Sequence, residues 1–304
     1  LAGPEGEVIA MIFDPHPASV LRPGSEPRRI STFEQRERWL RSAGADRSVR
    51  LTPSPELLGI EAEVFIEQLV KDFAPSHIVE GADFHFGQGR RGNVGVLSDL
   101  GRRLGFVCHV VPPVEVALTD QHLVPASSTM VRWLVSNGRV RDAAMVLGKP
   151  YSIDGVVVRG DRRGRSIGFP TANLRTPCMM PGDGVYAGLA TLQNGQQLAT
   201  AVNVGARPTF GVAVRAIEAH LLNAPFDVDE DGTKRVAGMP EYGWGMTIEF
   251  IAWLRDSVAF ASLDELLAQI HRDCERAQEC VLPTSGNHGK GSTRVQKTGL
   301  EAVS

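Results

Sequence analysis

One stretch of the chain concentrates residues able to handle phosphate. It runs Gly160-Asp161-Arg162-Arg163-Gly164-Arg165-Ser166-Ile167-Gly168-Phe169-Pro170-Thr171-Ala172-Asn173. Gly160, Gly164 and Gly168 permit tight turns and close backbone approach. Successive exposed N–H groups make an anion nest, and nearby arginines add charge for phosphate. Thr171 and Asn173 bring a hydroxyl and an amide oxygen, hard donors suited to Mg²⁺. The same composition suits a flexible loop with solvated arginines, and composition alone favours that plainer reading. Further on, Glu218 and His220 lie on one face of a short apolar strand. A carboxylate there can take a proton from an alcohol; an outward polar face explains the pattern equally.

The first half carries weaker signals. Gly81-Ala82-Asp83-Phe84-His85-Phe86-Gly87 directly follows a strand-like run. Parallel α/β sheets bind ligands beyond the carboxyl ends of their strands. Ser127-Ser128-Thr129 opens a helix with Arg132 one turn on. Hydroxyls, free N–H groups and a guanidinium there make an anion site, although an ordinary N-cap beside a surface arginine has the same sequence. His16, between two prolines, reads as a turn residue. The remaining histidines show no metal spacing.

These residues need elements to hold them. Val8–Phe13 is a continuous apolar run, the mark of a strand buried on both faces. Ser31-Thr32-Phe33-Glu34 has capping-box spacing and opens a helix to about Ala43. A strand at 48–51, a helix at 62–73, a strand at 77–80, a helix at 94–104 and a strand at 106–111 follow. Alternation of this kind predicts a parallel α/β sheet. Two helices, one starting at Ser127 and one over 140–147, close this half before Pro150. The second half changes character. Val185–Leu192 and Leu198–Val204 flank Asn194-Gly195, a type I′ hairpin signal. Met246, Ile248, Phe250, Ala252 and Leu254 alternate with polar or outward positions, as in a barrel strand. Short strands at close spacing predict an antiparallel barrel. A helix capped at Ser262 closes it, with Leu263, Leu266, Leu267, Ile270 and Cys274 as its apolar stripe. Residues 284–304 are polar and glycine-rich, which predicts a disordered tail.

Composition narrows the function classes. The 304 residues carry a net charge of -3, with 42% hydrophobic and 22% charged residues. That is an ordinary globular balance and lacks the basic footprint of a dedicated nucleic-acid binder. No apolar run reaches the ~18 residues of a membrane span. Four scattered cysteines include no Cys-x-x-Cys pair, which suits a reducing compartment and a cytoplasmic location.

In combination these motifs resemble a known family. Asp14-Pro15-His16-Pro17, the Gly81–Gly87 segment, Ser127-Ser128-Thr129-Met130-Val131-Arg132 and Leu147-Gly148-Lys149-Pro150-Tyr151 occur in order. They lead into the Gly160–Asn173 stretch, Asn203-Val204-Gly205-Ala206-Arg207-Pro208-Thr209-Phe210, and Ile217-Glu218-Ala219-His220-Leu221-Leu222. From Val8 to about Arg276 the chain is similar to the bacterial bifunctional riboflavin kinases/FMN adenylyltransferases. The resemblance implies a Rossmann-like α/β nucleotidyltransferase domain over 1–148 and a six-stranded antiparallel riboflavin kinase barrel with a closing helix over 149–283. It implies ATP-dependent phosphorylation of riboflavin to FMN and adenylylation of FMN to FAD, with Mg²⁺. It implies that Gly160, Gly164 and Gly168 wrap ATP phosphates, that Thr171 and Asn173 bind Mg²⁺ and phosphate, and that Glu218 is the base for the ribityl 5′-hydroxyl. Arg207 lies in a matching loop and is expected to face the flavin. Gly81, Asp83, Phe84, Ser128, Thr129 and Arg132 match the adenylyltransferase's flavin and ATP site.

Two departures qualify these expectations. The family's His-x-Gly-His motif, which handles ATP phosphates ahead of Asp14-Pro15-His16-Pro17, is absent here. FMN adenylylation by this chain is therefore expected to be absent or crippled. After Glu218 the chain carries an insertion at about 224–245, with Asp227, Asp229, Glu230 and Asp231. It is expected to be solvated, since it lacks calcium-loop spacing. Two other classes compete: a flavin-binding or regulatory protein without turnover, and a barrel that binds single-stranded nucleic acid. Retained Thr171, Asn173 and Glu218 oppose the first. The net charge and 6% aromatic content oppose the second. The sequence leaves the oligomeric state open.

Overall fold

The computed structural model describes residues 3, 6–160, 164, 167–209, 212–228 and 234–281, with the backbone alone for 207–209, 212–214 and 234. The expected tail lies outside the described residues, as do Asp229, Glu230 and Asp231.

The amino-terminal half alternates strand and helix. It comprises β1 (Ile9–Phe13), α1 (Ala18–Leu21), α2 (Phe33–Ser42), β2 (Arg47–Leu51), α3 (Pro55–Leu58), α4 (Ala62–Phe73) and β3 (His77–Gly81). There follow β4 (His85–Phe86), β5 (Gly92–Asn93), α5 (Val94–Leu104), β6 (Val107–Val111), β7 (Glu115–Ala117), β8 (Leu123–Pro125), α6 (Ser128–Ser136) and α7 (Val140–Leu147). β1 pairs in parallel with β2, and β3 with β6, through crossovers that carry α2 and α5. The two pairs are separate two-stranded sheets. β1 is half-buried along its whole length rather than covered on both faces. Its Met11, Ile12 and Phe13 border a cleft that also reaches Ile78 and Glu80 of β3. The capping box of α2 sits one residue later than its spacing suggested. Thr32 is the cap, its hydroxyl accepts from the Gln35 N–H, and the Gln35 side chain accepts from the Thr32 N–H.

The second half is a closed barrel in the order β10-β13-β12-β11-β16-β9, every pairing antiparallel. Its strands are β9 (Tyr151–Val158), β10 (Ala172–Arg175), β11 (Gly184–Leu192), β12 (Gln197–Thr209), β13 (Val212–Leu221) and β16 (Gly245–Arg255). A hairpin of β14 (Phe226–Val228) and β15 (Lys234–Val236) precedes the last strand, and α8 (Leu263–Val281) follows it. Met246, Ile248, Phe250, Ala252 and Leu254 are buried, as their alternation requires. The β11–β12 turn is not type I′. Only Gly195 has a positive φ, 86°, whereas a type I′ turn needs two such residues. Asn194 instead turns the chain through its side chain, whose Oδ1 accepts from the Gln196 N–H. On α8, Leu266, Leu267, Ile270 and Cys274 are half-buried as expected, whereas Leu263 is exposed and the fully buried positions are Asp273 and Ala277. Asp273 takes Arg255 of β16 in a two-pronged pair, with Nη2 at 2.8 Å and Nε at 3.0 Å from Oδ2.

Among its described residues, the insertion after Glu218 is anchored on the barrel by its apolar side chains, while Asp227 is exposed as expected. Phe226, Val236 and Tyr242 pack on the barrel core, and Met239 and Trp244 are buried in it. The halves are likewise joined by packing and polar contacts. Val131, Leu134, Val135 and Val140 of α6 and α7 share one core with Tyr151, Ile153, Tyr186 and Phe250 of the barrel. Gln35 is fully buried and donates from Nε2 to the Ser152 carbonyl and to Asp154 Oδ1, both at 3.2 Å. Asp154 also accepts from Arg38 at 2.7 Å and from the Thr247 hydroxyl at 2.8 Å.

Candidate functional site

Antiparallel register brings three side chains into a row on the outside of the barrel. Asn173 of β10 stands opposite Glu218 of β13, and Glu218 stands opposite Asn203 of β12. Their neighbours Leu174, Ile217, Ala219, Val202 and Val204 are buried in the core. Period-two alternation therefore turns all three outward. The Asn203 amide Nδ2 donates to Glu218 Oε2 at 3.5 Å, a long bond, and the Ser257 hydroxyl donates to Asn203 Oδ1 at 3.3 Å. Sequence reading did not select Asn203 or Ser257. Asn203 belongs to a segment that carries the family resemblance, but only the register of β12 against β13 places it on Glu218.

The glycine-rich segment begins directly above this row. A Cβ on Gly160 would collide with the Asn173 amide, and one on Gly164 would collide with the Phe169 carbonyl. The Asn173 side chain and the Phe169 carbonyl thus occupy the space that a side chain at these two positions would need. Asn173 is only 9% exposed for this reason. Gly168 has φ +88°, a conformation that favours glycine. The end of the segment is clamped from two sides. Phe169 meets the His220 ring at 5.3 Å and the His271 ring of α8 at 5.0 Å, both edge-on. His220 Nδ1 lies 2.9 Å from the Pro170 carbonyl, so that nitrogen carries the proton and donates. Burial pushes the His220 pKa down, which keeps the ring neutral.

The structure therefore brings together Gly160, Gly164, Asn173, Glu218 and His220. Thr171 joins them: its hydroxyl oxygen lies 3.5 Å from where a Gly164 Cβ would stand, and the residue also faces the β14–β15 hairpin. The Arg207 side chain lies outside the described residues, so its expected flavin role is left as an expectation. Among the described residues, no group of three or more His, Cys, Asp or Glu side chains is placed to hold a metal ion. Thr171 and Asn173 remain as hard oxygen donors, enough for an Mg²⁺ that takes its other ligands from phosphate and water.

The amino-terminal half holds a cleft of about 1500 Å³. Of the residues expected there, Phe84, Ser128 and Arg132 line it, while Gly81, Asp83 and Thr129 do not. Gly81 is the last residue of β3 and Asp83 stands just beyond it, where the Asp83 carbonyl engages His85 Nδ1 at 2.8 Å. The Ser127 hydroxyl caps α6 by accepting from the Met130 N–H at 3.2 Å. Arg132 donates to the Arg28 carbonyl at 2.8 Å. Asp14 is buried among Arg29, Arg36 and Arg50, at 3.1, 2.6 and 3.9 Å. His16 lines the same cleft, and its Nδ1 accepts from the Ala18 N–H at 3.1 Å, which makes it the turn residue expected. The lining carries more arginine than carboxylate, an environment that suits a polyphosphate.

Comparison with known proteins agrees with this division. The riboflavin kinase family model matches residues 147–281, and the FAD synthetase model matches residues 4–124. The bifunctional riboflavin kinase/FMN adenylyltransferase of Escherichia coli K12 is 32% identical over 278 residues, covering 90% of this chain and 82% of that protein. The Bacillus subtilis protein of the same name is 32% identical over 285 residues, covering 91% and 84%. A crystal structure described as a macrolide-efflux protein from Streptococcus pneumoniae matches with a TM-score of 0.73 at 28% identity, covering 90% of this chain and 83% of that one. Among the described residues here, no helix is long and apolar enough to cross a membrane.

Proposed function

Because the chain belongs to the bifunctional riboflavin kinase/FMN adenylyltransferase family, we propose that riboflavin is phosphorylated on the outer face of β10, β13 and β12, under the Gly160 segment. The observation that carries this reading is the row Asn173–Glu218–Asn203. Glu218 takes the proton of the ribityl 5′-hydroxyl as that oxygen attacks the γ-phosphorus of ATP. The P–O bond to the β-phosphate breaks, and ADP leaves. Asn203 positions the Glu218 carboxylate, and Ser257 fixes the Asn203 amide. Gly160, Gly164 and Gly168 give the backbone close access to the phosphates. Thr171 and Asn173 are the residues that would hold Mg²⁺, which supplies charge neutralisation for phosphoryl transfer. Catalysis at this face rests on alignment and fixed dipoles.

The second activity, transfer of an adenylyl group from ATP to FMN, belongs to the amino-terminal half. Its basic cleft with Phe84, Ser128 and Arg132 supports that assignment. We draw the boundary between the two units at residue 148, with cytoplasmic location and small molecules as the partners. The test is chromatographic. Riboflavin, ATP and Mg²⁺ are expected to give FMN in step with ADP, and omission of the metal is expected to stop it. Tight riboflavin binding with no ADP formed would favour the flavin-binding alternative.

A further inference from the structure

The hairpin inserted after Glu218 brings a cation to the nucleotide end of the barrel. Phe226 and Val236 pack its base on the barrel core, and the Gly238 N–H donates to Asp227 Oδ2 at 3.1 Å. Strand register places Arg235 on β15 opposite Asp227 on β14. Between the hairpin and β10 lies a small open cleft of about 40 Å³. It is lined by Thr171 and Arg235, and otherwise by apolar or proline side chains of β10, β13 and the hairpin. Arg235 is the one ionisable residue among them. A space of this size accepts a water or an oxygen edge of a phosphate, not an aromatic ring. A guanidinium presents a planar fork of donors that matches phosphate oxygens.

We propose that Arg235 is a further nucleotide-binding residue of the kinase site, holding a phosphate of ATP from the hairpin side while Thr171 faces it from β10. This rests on the reading of Thr171 as a phosphate-site residue. It gives the insertion a function: a strand pair seated on the core adds a positive charge beside Thr171, next to the Gly160 segment. The hairpin then sets affinity for the nucleotide, and leaves flavin recognition to the Glu218 face.

The test compares Arg235→Gln and Thr171→Ala with the parent chain, following FMN formation while ATP and riboflavin are varied separately. Losing a charge-assisted phosphate contact should raise the KM for ATP in Arg235→Gln by about tenfold or more. The KM for riboflavin should stay within about twofold, and Arg235→Lys should fall between, because lysine offers a point charge without the fork. An ATP KM unchanged in Arg235→Gln overturns the proposal. So does an equal rise in both KM values, which would mark a hairpin that only braces the barrel. Arg235→Met keeps the apolar stem packed, and the same KM split decides the matter should the Gln variant fold poorly. Thr171→Ala separates the two readings. A raised ATP KM in that variant alone removes Arg235 and keeps the Thr171 reading. A raised ATP KM in Arg235→Gln alone removes Thr171 from the phosphate site and overturns the paired contact proposed here.

Discussion

Glu218 owes its place to a strand whose odd and even residues face opposite ways. Ile217, Ala219 and Leu221 enter the core, so Glu218 and His220 must point out. That much was legible in the sequence, because alternation is a local property. Asn203 was not, because its partnership with Glu218 depends on which residues of β12 and β13 stand opposite each other. A role in aiming the carboxylate makes a specific prediction. Asn203→Ala should lower kcat by about tenfold, less than loss of the base itself, and leave the KM for ATP alone. Steady-state kinetics with both substrates varied will show it. Gly160 gives a second prediction at this scale. Gly160→Ala places a methyl group on the Asn173 amide, so ATP binding should weaken while the barrel still folds; the ATP KM and a melting curve read the two effects separately.

Among its described residues, the glycine-rich segment is held at its carboxyl end by side-chain contacts. Its carboxyl end is clamped by His220 and His271 around Phe169, and by the bond from His220 to the Pro170 carbonyl. His220 sits in the fold with its pKa depressed by burial, whereas a free histidine titrates near pH ~6.5. The folded form thus binds fewer protons than the unfolded form just below that value. The stabilisation is complete above pH ~6.5 and is lost as the pH falls through the window between the two pKa values. Acidification should therefore loosen the segment, raising the ATP KM below pH ~6, and His220→Gln should flatten that pH dependence. The clustered glycines are legible in the sequence but this clamp is not, because His271 comes from α8, about a hundred residues further along the chain. The same limit applies to the hairpin. Its acidic residues suggested a solvated loop, yet Phe226 and Val236 flank them and bind the core. Apolar residues that bracket a polar turn were the available signal.

At the scale of the molecule, the two halves differ in how well they are closed. The barrel has no free edge, and cyclic pairing protects every strand. The amino-terminal half is described as two separate parallel pairs with a large cleft between β1 and β3. Two-stranded sheets are marginal by themselves. Strand-helix alternation made the α/β class legible, but not this division, since pairing between distant strands leaves no local trace. Two melting transitions are expected by calorimetry, the lower from the amino-terminal half, with FAD formed more slowly than FMN. Gln35 ties that half to the barrel through Ser152 and Asp154. Gln35→Leu removes the side-chain donor to the buried Ser152 carbonyl, while Asp154 keeps Arg38 and Thr247, so it should destabilise the junction by about 1–3 kcal/mol and spread the two transitions further apart. A long-range contact of this kind, between residues more than a hundred positions apart, was invisible in the sequence.

The central claim is that Glu218 is the base of a riboflavin kinase, and one measurement reaches it directly. FMN formation in a single turnover would be followed with the parent chain and with Glu218→Gln, which preserves size and the hydrogen bond to Asn203's side while removing the proton acceptor. The account predicts riboflavin binding unchanged and a rate of FMN formation lower by about 10²–10⁴. A Glu218→Gln variant that forms FMN at the parent rate would contradict it.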